Sequence, residues 1–334
     1  MGRKARWGIS GCAGIAEKRM LPALLQAQNA ELYALASRSR EKLDRFSNRF
    51  QPQMGYTSYD ALLDDAQVDV VYIPLPNTLH RDWVLKACHR GKPVLCEKPL
   101  AVSAAQAREI ASVSAQTGVP VMEAFAYFHG PLMQKTLEVL GTGRLGRVRY
   151  IEGNFSQLMR DAGNVRLNKE LGGGASFDMG CYPVSFARAV TGEEPEEVQV
   201  MRSMGPTGVD VDVLATLRFP GGAKASMYCS FEAHWCTRNT VLCERGQIDI
   251  PSIFDPLDLA DKTLTVITKD PRHLEKGEAG VEEYHFDCSA NYIRQMEQMG
   301  EVALGRAKPA IPLAFSVGNA EVMDMLLGTQ CPGM

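Results

Sequence analysis

The chain predicts an α/β domain with a doubly wound parallel sheet, followed by an α+β domain with an antiparallel sheet. Three observations carry that prediction. Apolar β-rich runs alternate with helical runs about six times in the first third of the chain, as in a parallel sheet wound by helices. A glycine turn closes the first of those runs. From Val148 the pattern changes to short β-rich runs with turn signals and few helices between them. At 334 residues the chain exceeds what one core usually holds. Two domains are therefore expected, 1–125 and 126–334.

The first run, ARWGIS (5–10), leads into Gly11, Cys12, Ala13, Gly14, Ile15 and Ala16. EKRMLPALLQAQ follows, with Met20, Leu21, Leu24 and Leu25 at helical spacing, and ELYALASRS reads as a second strand. This is the setting a dinucleotide fingerprint requires. The G-x-G-x-x-G pattern is incomplete, because Ala13 and Ala16 replace its second and third glycines. Gly11 supplies the tight turn. Ala13 is small enough for close approach to a pyrophosphate, and Ala16 still lets helix and strand pack closely. Backbone N–H groups at the helix start then meet the phosphates, aided by the helix dipole. Without its setting, the motif also fits a plain βα turn.

An NAD-preferring site carries Asp or Glu at the end of the second strand, for the ribose 2′-hydroxyl. Here Ser37, Arg38, Ser39 and Arg40 stand there. A guanidinium pairs with a 2′-phosphate by charge and fork geometry, so NADP is expected over NAD. The plain alternative, arginines decorating a helix N-terminus, sets cations against the dipole.

SREKLDRFSNRF and YTSYDALLDD supply two more helices. VDVVYIPLP is a continuous apolar run suited to a strand covered on both faces. THRDWVLKACHRG is a helix closed by Gly91, KPVLCEKP a strand, VSAAQAREIASVSAQTG a helix and VPVMEAF a strand. The loop from Pro74 and Leu75 through Asn77 to His80, and the turn Glu97-Lys98-Pro99, thus lie at carboxyl ends of strands. Open α/β sheets bind ligands there. In the second half, VRYIEGNFSQL, EEVQVMRSM, VDVLATLRF, AKASMYCSF, NTVLCERGQIDI and KTLTVITK read as sheet. One helix interrupts them, DMGCYPVSFARAVTG, entered through LGGGASF and capped by Gly192. SANYIRQMEQMGEVAL and AFSVGNAEVMDMLLGT are late helices.

Composition narrows the class. Hydrophobic residues at 45% and charged ones at 22% are ordinary for a soluble globular protein. A net charge of −3 leaves no nucleic-acid footprint. No apolar run approaches the ~18 residues of a membrane span. The N-terminus lacks a signal-peptide apolar region, and Arg6 breaks the myristoylation pattern. The nine cysteines form no CxxC pair and are read as reduced, mostly buried thiols of a cytoplasmic protein. The six histidines are dispersed, with no HExxH or Cys/His cluster, so no metal site is expected.

GISGCAGIA (8–16), PLPNTLH (74–80), VLCEKPLA (94–101) and GGGASFDMGCYPV (172–184) stand in the order of the characteristic stretches of a known family. Over essentially its whole length the chain resembles the glucose–fructose oxidoreductase and inositol dehydrogenase family of nicotinamide enzymes. The resemblance implies an NAD(P)-binding Rossmann domain (1–125) followed by a substrate-binding and oligomerisation α+β domain (126–334) on a large open antiparallel sheet, a catalytic Lys98, and Asp178 and residue 182 facing the nicotinamide. Glu97 is read as a support residue that pairs with Lys98 or binds the nicotinamide ribose. Tyr182 aligns it with the tyrosine-containing branch, similar to dihydrodiol and xylose dehydrogenases and nucleotide-sugar 3-ketoreductases. Gly130-Pro131 departs from the longer polar or aromatic-basic sequence common in the family.

Four residues apart on one helix, Asp178 and Tyr182 are expected on one face. Hydride transfer at a carbinol carbon must be matched by proton transfer at its oxygen. A phenol with a pKa near 10 is a poor base at neutral pH, and a nearby ammonium favours its phenolate. Tyr182 is therefore assigned as proton donor or acceptor, Lys98 as the group that tunes it and polarises the oxygen, and Asp178 as the group that orients sugar hydroxyls. The reverse assignment, Lys98 as direct acid, uses the same residues. Each also has a plain reading: Tyr182 as core, Asp178 as a helix N-cap, Lys98 as a strand-end charge. His129, Asn164 and Arg166 are softer substrate candidates, and Trp235 reads as sheet packing or a subunit contact. The expected function is an NADP-dependent oxidoreductase of a sugar or polyol ring hydroxyl or ketone. The alternatives are a catalytically silent nucleotide-binding regulator and an enzyme with tightly held, recycling NAD. The open sheet suggests a homodimer or homotetramer.

Overall fold

The computed structural model describes residues 2–254, 261–268 and 280–328. The chain divides into two compact units, Met1–His129 with Ala290–Ala320, and Gly130–Ser289 with Glu321–Met334.

In the first unit, strands β1 (Ala5–Ser10), β2 (Ala30–Ala36), β3 (Met54–Tyr56), β4 (Val70–Ile73), β5 (Val94–Cys96) and β6 (Val121–Glu123) form one parallel sheet. Their order is β3-β2-β1-β4-β5-β6. The order reverses between β1 and β4, the switch point at which such sheets bind dinucleotides. The connecting helices are α1 (Leu21–Gln26), α2 (Arg40–Phe50), α3 (Tyr59–Asp64), α4 (His80–His89) and α5 (Ala104–Thr117). Ser39, Ser58 and Ser103 start α2, α3 and α5, each accepting a backbone N–H with its hydroxyl. Val71, Ile73, Val94, Cys96 and Val121 pack with Val84, Ala107 and Ile110 in one buried cluster. The helix after the glycine turn opens as a π turn, Ala16–Met20, in which Leu21 N–H reaches back to Ala16 O. Pro22 follows and has no N–H to give the ladder.

The second unit holds α6 (Pro131–Gly141), β7 (Val148–Ser156), α7 (Cys181–Thr191), β8 (Glu197–Met204), β9 (Asp210–Arg218), β10 (Lys224–Ser230), β11 (Asn239–Cys243), β12 (Gly246–Ile250), β13 (Lys262–Ile267) and β14 (Val281–Phe286). The sheet order is β14-β13-β12-β11-β7-β10-β9-β8. The antiparallel expectation holds for every neighbouring pair but one: β7 and β10 run parallel. A parallel neighbour needs a long crossover, and the chain through α7, β8 and β9 provides it. Along β9, Val211, Val213, Ala215 and Leu217 are buried while Leu214, Thr216 and Arg218 face outward. This period of two is that of a half-covered sheet. Helix α7 lies against β7 and β10. On the outward face, Met201 and Leu214 are register neighbours, 68% and 38% exposed.

Helix α8 (Asn291–Ala303) rejoins the first unit. Asn29 Nδ2 donates to Glu297 O at 2.8 Å and to Glu301 Oε1 at 2.7 Å, and Gln28 N–H donates to Glu297 Oε1 at 3.0 Å. The sequence placed 126–334 together, whereas 126–129 and 290–320 cluster with the first unit. A last helix, α9, spans Leu313–Leu327. None of the eight cysteines among the described residues is in a disulfide, and Cys331 lies outside them. Among the described residues no helix is long and apolar enough to cross a membrane.

Candidate active site

Gly11 ends β1 with φ +136°, a conformation open to glycine. A Cβ there would stand 3.0 Å from Leu75 Cδ2 and 3.6 Å from Pro74 Cγ, so the loop after β4 comes against the glycine turn. The helical ladder starts with Glu17 N–H on Ala13 O at 3.0 Å. The N–H groups of Ala13, Gly14 and Ile15 precede it at the helix start, where an anion is favoured. Gly14 is exposed, with nothing within 4 Å of where its Cβ would sit, while Ala16 is fully buried. A pyrophosphate fits this cradle: the donors and the space are present, and the two alanines close neither.

Beside it, the Cys12 thiol is hydrogen-bonded to Ser37, and burial pushes it up to about 11. It is a protonated neighbour of the cradle rather than a nucleophile. Ser37 Oγ accepts from Ser39 N–H at 3.2 Å, and Ser39 Oγ accepts from Lys42 N–H at 3.2 Å to cap α2. Arg40 pairs with Asp44 at 2.9 Å one turn along α2. Arg38 is exposed next to the N-terminus of that helix.

The turn that carries Lys98 is braced on several sides. Glu97 N–H donates to Ile73 O at 3.1 Å. Tyr72 Oη donates to Glu97 Oε1 at 2.5 Å. Leu100 N–H donates to Glu123 Oε1 at 2.8 Å. The His80 ring stands between two carbonyls, Nδ1 2.8 Å from Pro99 O and Nε2 2.8 Å from Leu75 O. It thereby ties the turn to the 74–80 loop. Burial holds His80 below its ordinary value, over the opposing pull of those carbonyls. Burial, then the charge of Glu97, pushes the Tyr72 phenol well above its usual range. The Lys98–Pro99 peptide is cis. Asn77 opens the short turn Asn77–Leu79 that leads into α4. His129 closes the turn Ala126–His129 and is 5% exposed. Its Nε2 has no hydrogen-bond partner among the described residues, and burial lowers it to about 4.

In the second unit the expected single helix from 178 opens instead as a π turn, Ser176–Gly180, with Cys181 N–H on Ser176 O. The reason parallels that at Pro22: Pro183 stands in the first turn of α7 and cannot donate to an α ladder. Asp178 is not the helix cap. Its carboxylate accepts from Arg166 Nε at 2.7 Å, with Asp178 15% and Arg166 43% exposed. Asn164 Oδ1 accepts Arg166 N–H at 3.1 Å, so Asn164 shapes the turn that presents Arg166. The glycine run locks these segments together. Gly174 N–H donates to Arg166 O, and Gly173 N–H to Asn168 O, each at 2.9 Å. Gly174 has φ +129°, and a Cβ there would collide with Asp210 Oδ1. Asp210 is buried and accepts from both the N–H and the hydroxyl of Ser176.

Tyr182 sits among aromatic rings, 5.2 Å from Phe155 and 5.4 Å from Phe254 between centroids. Trp235 is 5.7 Å from Phe155. Trp235 reads from the sequence as sheet packing or a subunit contact, and neither Phe155 nor Phe254 stands out there, because the rings come from a strand, a helix and two loop segments far apart in the chain.

Comparison with known proteins bears on what this arrangement does. A family model described as an oxidoreductase family with an NAD-binding Rossmann fold matches residues 5–125. One described as the GFO/IDH/MocA C-terminal domain matches residues 133–249. The chain is 33% identical to a D-xylose 1-dehydrogenase (NADP(+)) of Haloferax volcanii, over 96% of this chain and 95% of that one. It is also 33% identical to a trans-1,2-dihydrobenzene-1,2-diol dehydrogenase of Xenopus laevis, over 96% and 97%. Its fold matches the crystal structure of KijD10, a 3-ketoreductase from Actinomadura kijaniata in complex with NADP and TDP-benzene. The TM-score is 0.87 at 27% identity, covering 98% of both chains. With both domains matched in order, the chain belongs to the GFO/IDH/MocA family and is an NAD(P)-dependent oxidoreductase acting on CH–OH groups.

Proposed function

We propose that this enzyme is NADP-dependent and acts on a ring hydroxyl or ketone of a sugar or related polyol. The observation that carries the reading is the bracing of the Glu97-Lys98-Pro99 turn, which holds the segment bearing Lys98 at the strand end beside a dinucleotide cradle. A nucleotide sensor has no need of that frame together with Asp178 and Tyr182. Nicotinamide, when bound, supplies hydride exchange. Gly11 to Ile15 would hold the pyrophosphate, with Pro74, Leu75 and Asn77 lining the same crevice. Arg38 and Ser37, at the start of α2, would hold the 2′-phosphate.

Tyr182 moves the proton at the substrate oxygen. Lys98 polarises that oxygen and, by its charge, favours the phenolate. Asp178, oriented by Arg166, accepts from the neighbouring hydroxyls. The aromatic cluster of Phe155 and Trp235 suits the apolar face of a ring. Thiols outside disulfides, as among the described residues, suit a reducing, cytoplasmic setting. Outward residues such as Met201 and Leu214 suit pairing between copies, as a dimer or tetramer.

The test is titration with NADPH and NADH, carried into turnover of aldoses, inositols, dihydrodiols and 3-keto sugars, with Lys98→Met and Tyr182→Phe alongside. Preferential NADPH binding, with turnover lost in both variants, is expected. Turnover surviving in Tyr182→Phe and lost in Lys98→Met would transfer the proton to Lys98. Failure to bind either nucleotide would overturn the reading.

A further inference from the structure

We propose that Tyr72 is a positioning residue for Lys98: its buried phenol holds the Glu97 carboxylate, and Glu97 holds the turn on which Lys98 stands. This rests on the oxidoreductase reading above and adds a residue to it. Tyr72 lies in the middle of the sheet, fully buried, between register partners Ile9 on β1 and Leu95 on β5. An apolar side chain would satisfy that position by packing alone. The chain places a hydroxyl there, and the hydroxyl makes a short 2.5 Å bond to a residue beyond the end of the next strand. Such a bond to a carboxylate is among the stronger hydrogen bonds proteins make.

The phenol keeps its proton because burial and the facing carboxylate both oppose ionisation. It is therefore a permanent donor to Glu97. Groups around this pair include Cys96 on β5, Glu123 on β6 and Tyr292 on α8. Glu123 does a similar service one step along the turn, accepting Leu100 N–H. The main-chain bond from Glu97 to Ile73 fixes the start of the turn, and His80 fixes Pro99. The Tyr72 bond holds the Glu97 side chain by its carboxylate. Geometry of this kind is what a reacting ammonium needs, since a displacement of about 1 Å costs about a hundredfold in rate.

The decisive variant is Tyr72→Phe, which removes one oxygen and keeps the packing. Four proteins are compared: wild type, Tyr72→Phe, Glu97→Gln and the double variant. Tyr72→Phe is expected to lower kcat by about ten- to a hundredfold with KM and NADPH affinity within about threefold. The double variant should be no slower than the slower single variant. A readout that needs no turnover is urea unfolding of the nucleotide-free protein, where the two substitutions should be non-additive. A merely structural tyrosine would lower stability additively and leave kcat unchanged. Wild-type kcat in Tyr72→Phe, with Lys98→Met inactive, overturns the proposal and leaves the enzyme reading standing. If Lys98→Met keeps full activity, that reading fails, and additive unfolding energies would then refute the Tyr72–Glu97 bond independently.

Discussion

His129 should make the protein progressively less stable below neutral pH. The residue is 5% exposed, its Nε2 finds no partner among the described residues, and burial lowers it from its ordinary 6.5 to about 4. Its folded-state pKa is thus depressed, so the unfolded chain takes up the proton first as pH falls. The stability held by the neutral ring is complete above 6.5 and is lost progressively down to about 4. At about 1.36 kcal/mol per pH unit, the full loss is about 3 kcal/mol, and about 2 kcal/mol of it is gone by pH 5.

The assay is urea unfolding of wild type and His129→Phe at intervals from pH 4 to pH 8, with NMR of histidine-labelled protein to follow the ring directly. Phenylalanine keeps an aromatic ring of similar size and carries no proton. The difference between the two proteins should be flat above pH 7 and shift in favour of the variant toward pH 4. His80 is also held low by burial, but it is common to both proteins and cancels. A ring that titrates near 6.5, or a stability difference that does not change with pH, refutes the reasoning.

Arg38→Ala should weaken NADPH by about ten- to a hundredfold, the worth of a charge-assisted phosphate contact of about 1.5–3 kcal/mol, and leave NADH within about threefold, as read by fluorescence titration. Gly174→Ala sets a Cβ at φ +129° against Asp210 and should cost about 2 kcal/mol or more, seen as a lowered unfolding midpoint. Leu214→Asp, on the outward sheet face, should shift the species seen by analytical ultracentrifugation toward monomer, while NADPH binding stays unchanged.

The strands and helices of the first unit, β3 aside, were readable because the strands are apolar runs and the helices between them have a polar face. The glycine turn, the 74–80 loop and the Glu97-Lys98-Pro99 turn follow from that alternation, since each must fall at a strand end. The features that escaped depend on chain segments far apart. β3 has three residues, one of them glycine, and gives no local signal. Asp178 and Tyr182 look one α turn apart, and only the register imposed before Pro183 makes that turn π. Arg166 reaches Asp178 across a glycine run whose fold depends on Asp210, thirty-odd residues later. Tyr72 hides in an apolar strand, where a tyrosine looks like any other core residue. The amphipathic pattern of α8 announces a helix but not the face it seeks. Nor does any single strand say that β10 will lie parallel to β7.

The return of Ala290–Ala320 to the first unit has a consequence for biosynthesis and for fragment engineering. A ribosome releases the nucleotide-binding strands long before it makes the helix that completes their shell. Until then Asn29 lacks its partners Glu297 and Glu301, and Met20 lacks Gln295. A fragment cut after residue 129 would be missing a wall. A chimera that exchanges the sheet unit between relatives must carry the late helix with the nucleotide-binding half, even though the genetic text places it at the other end.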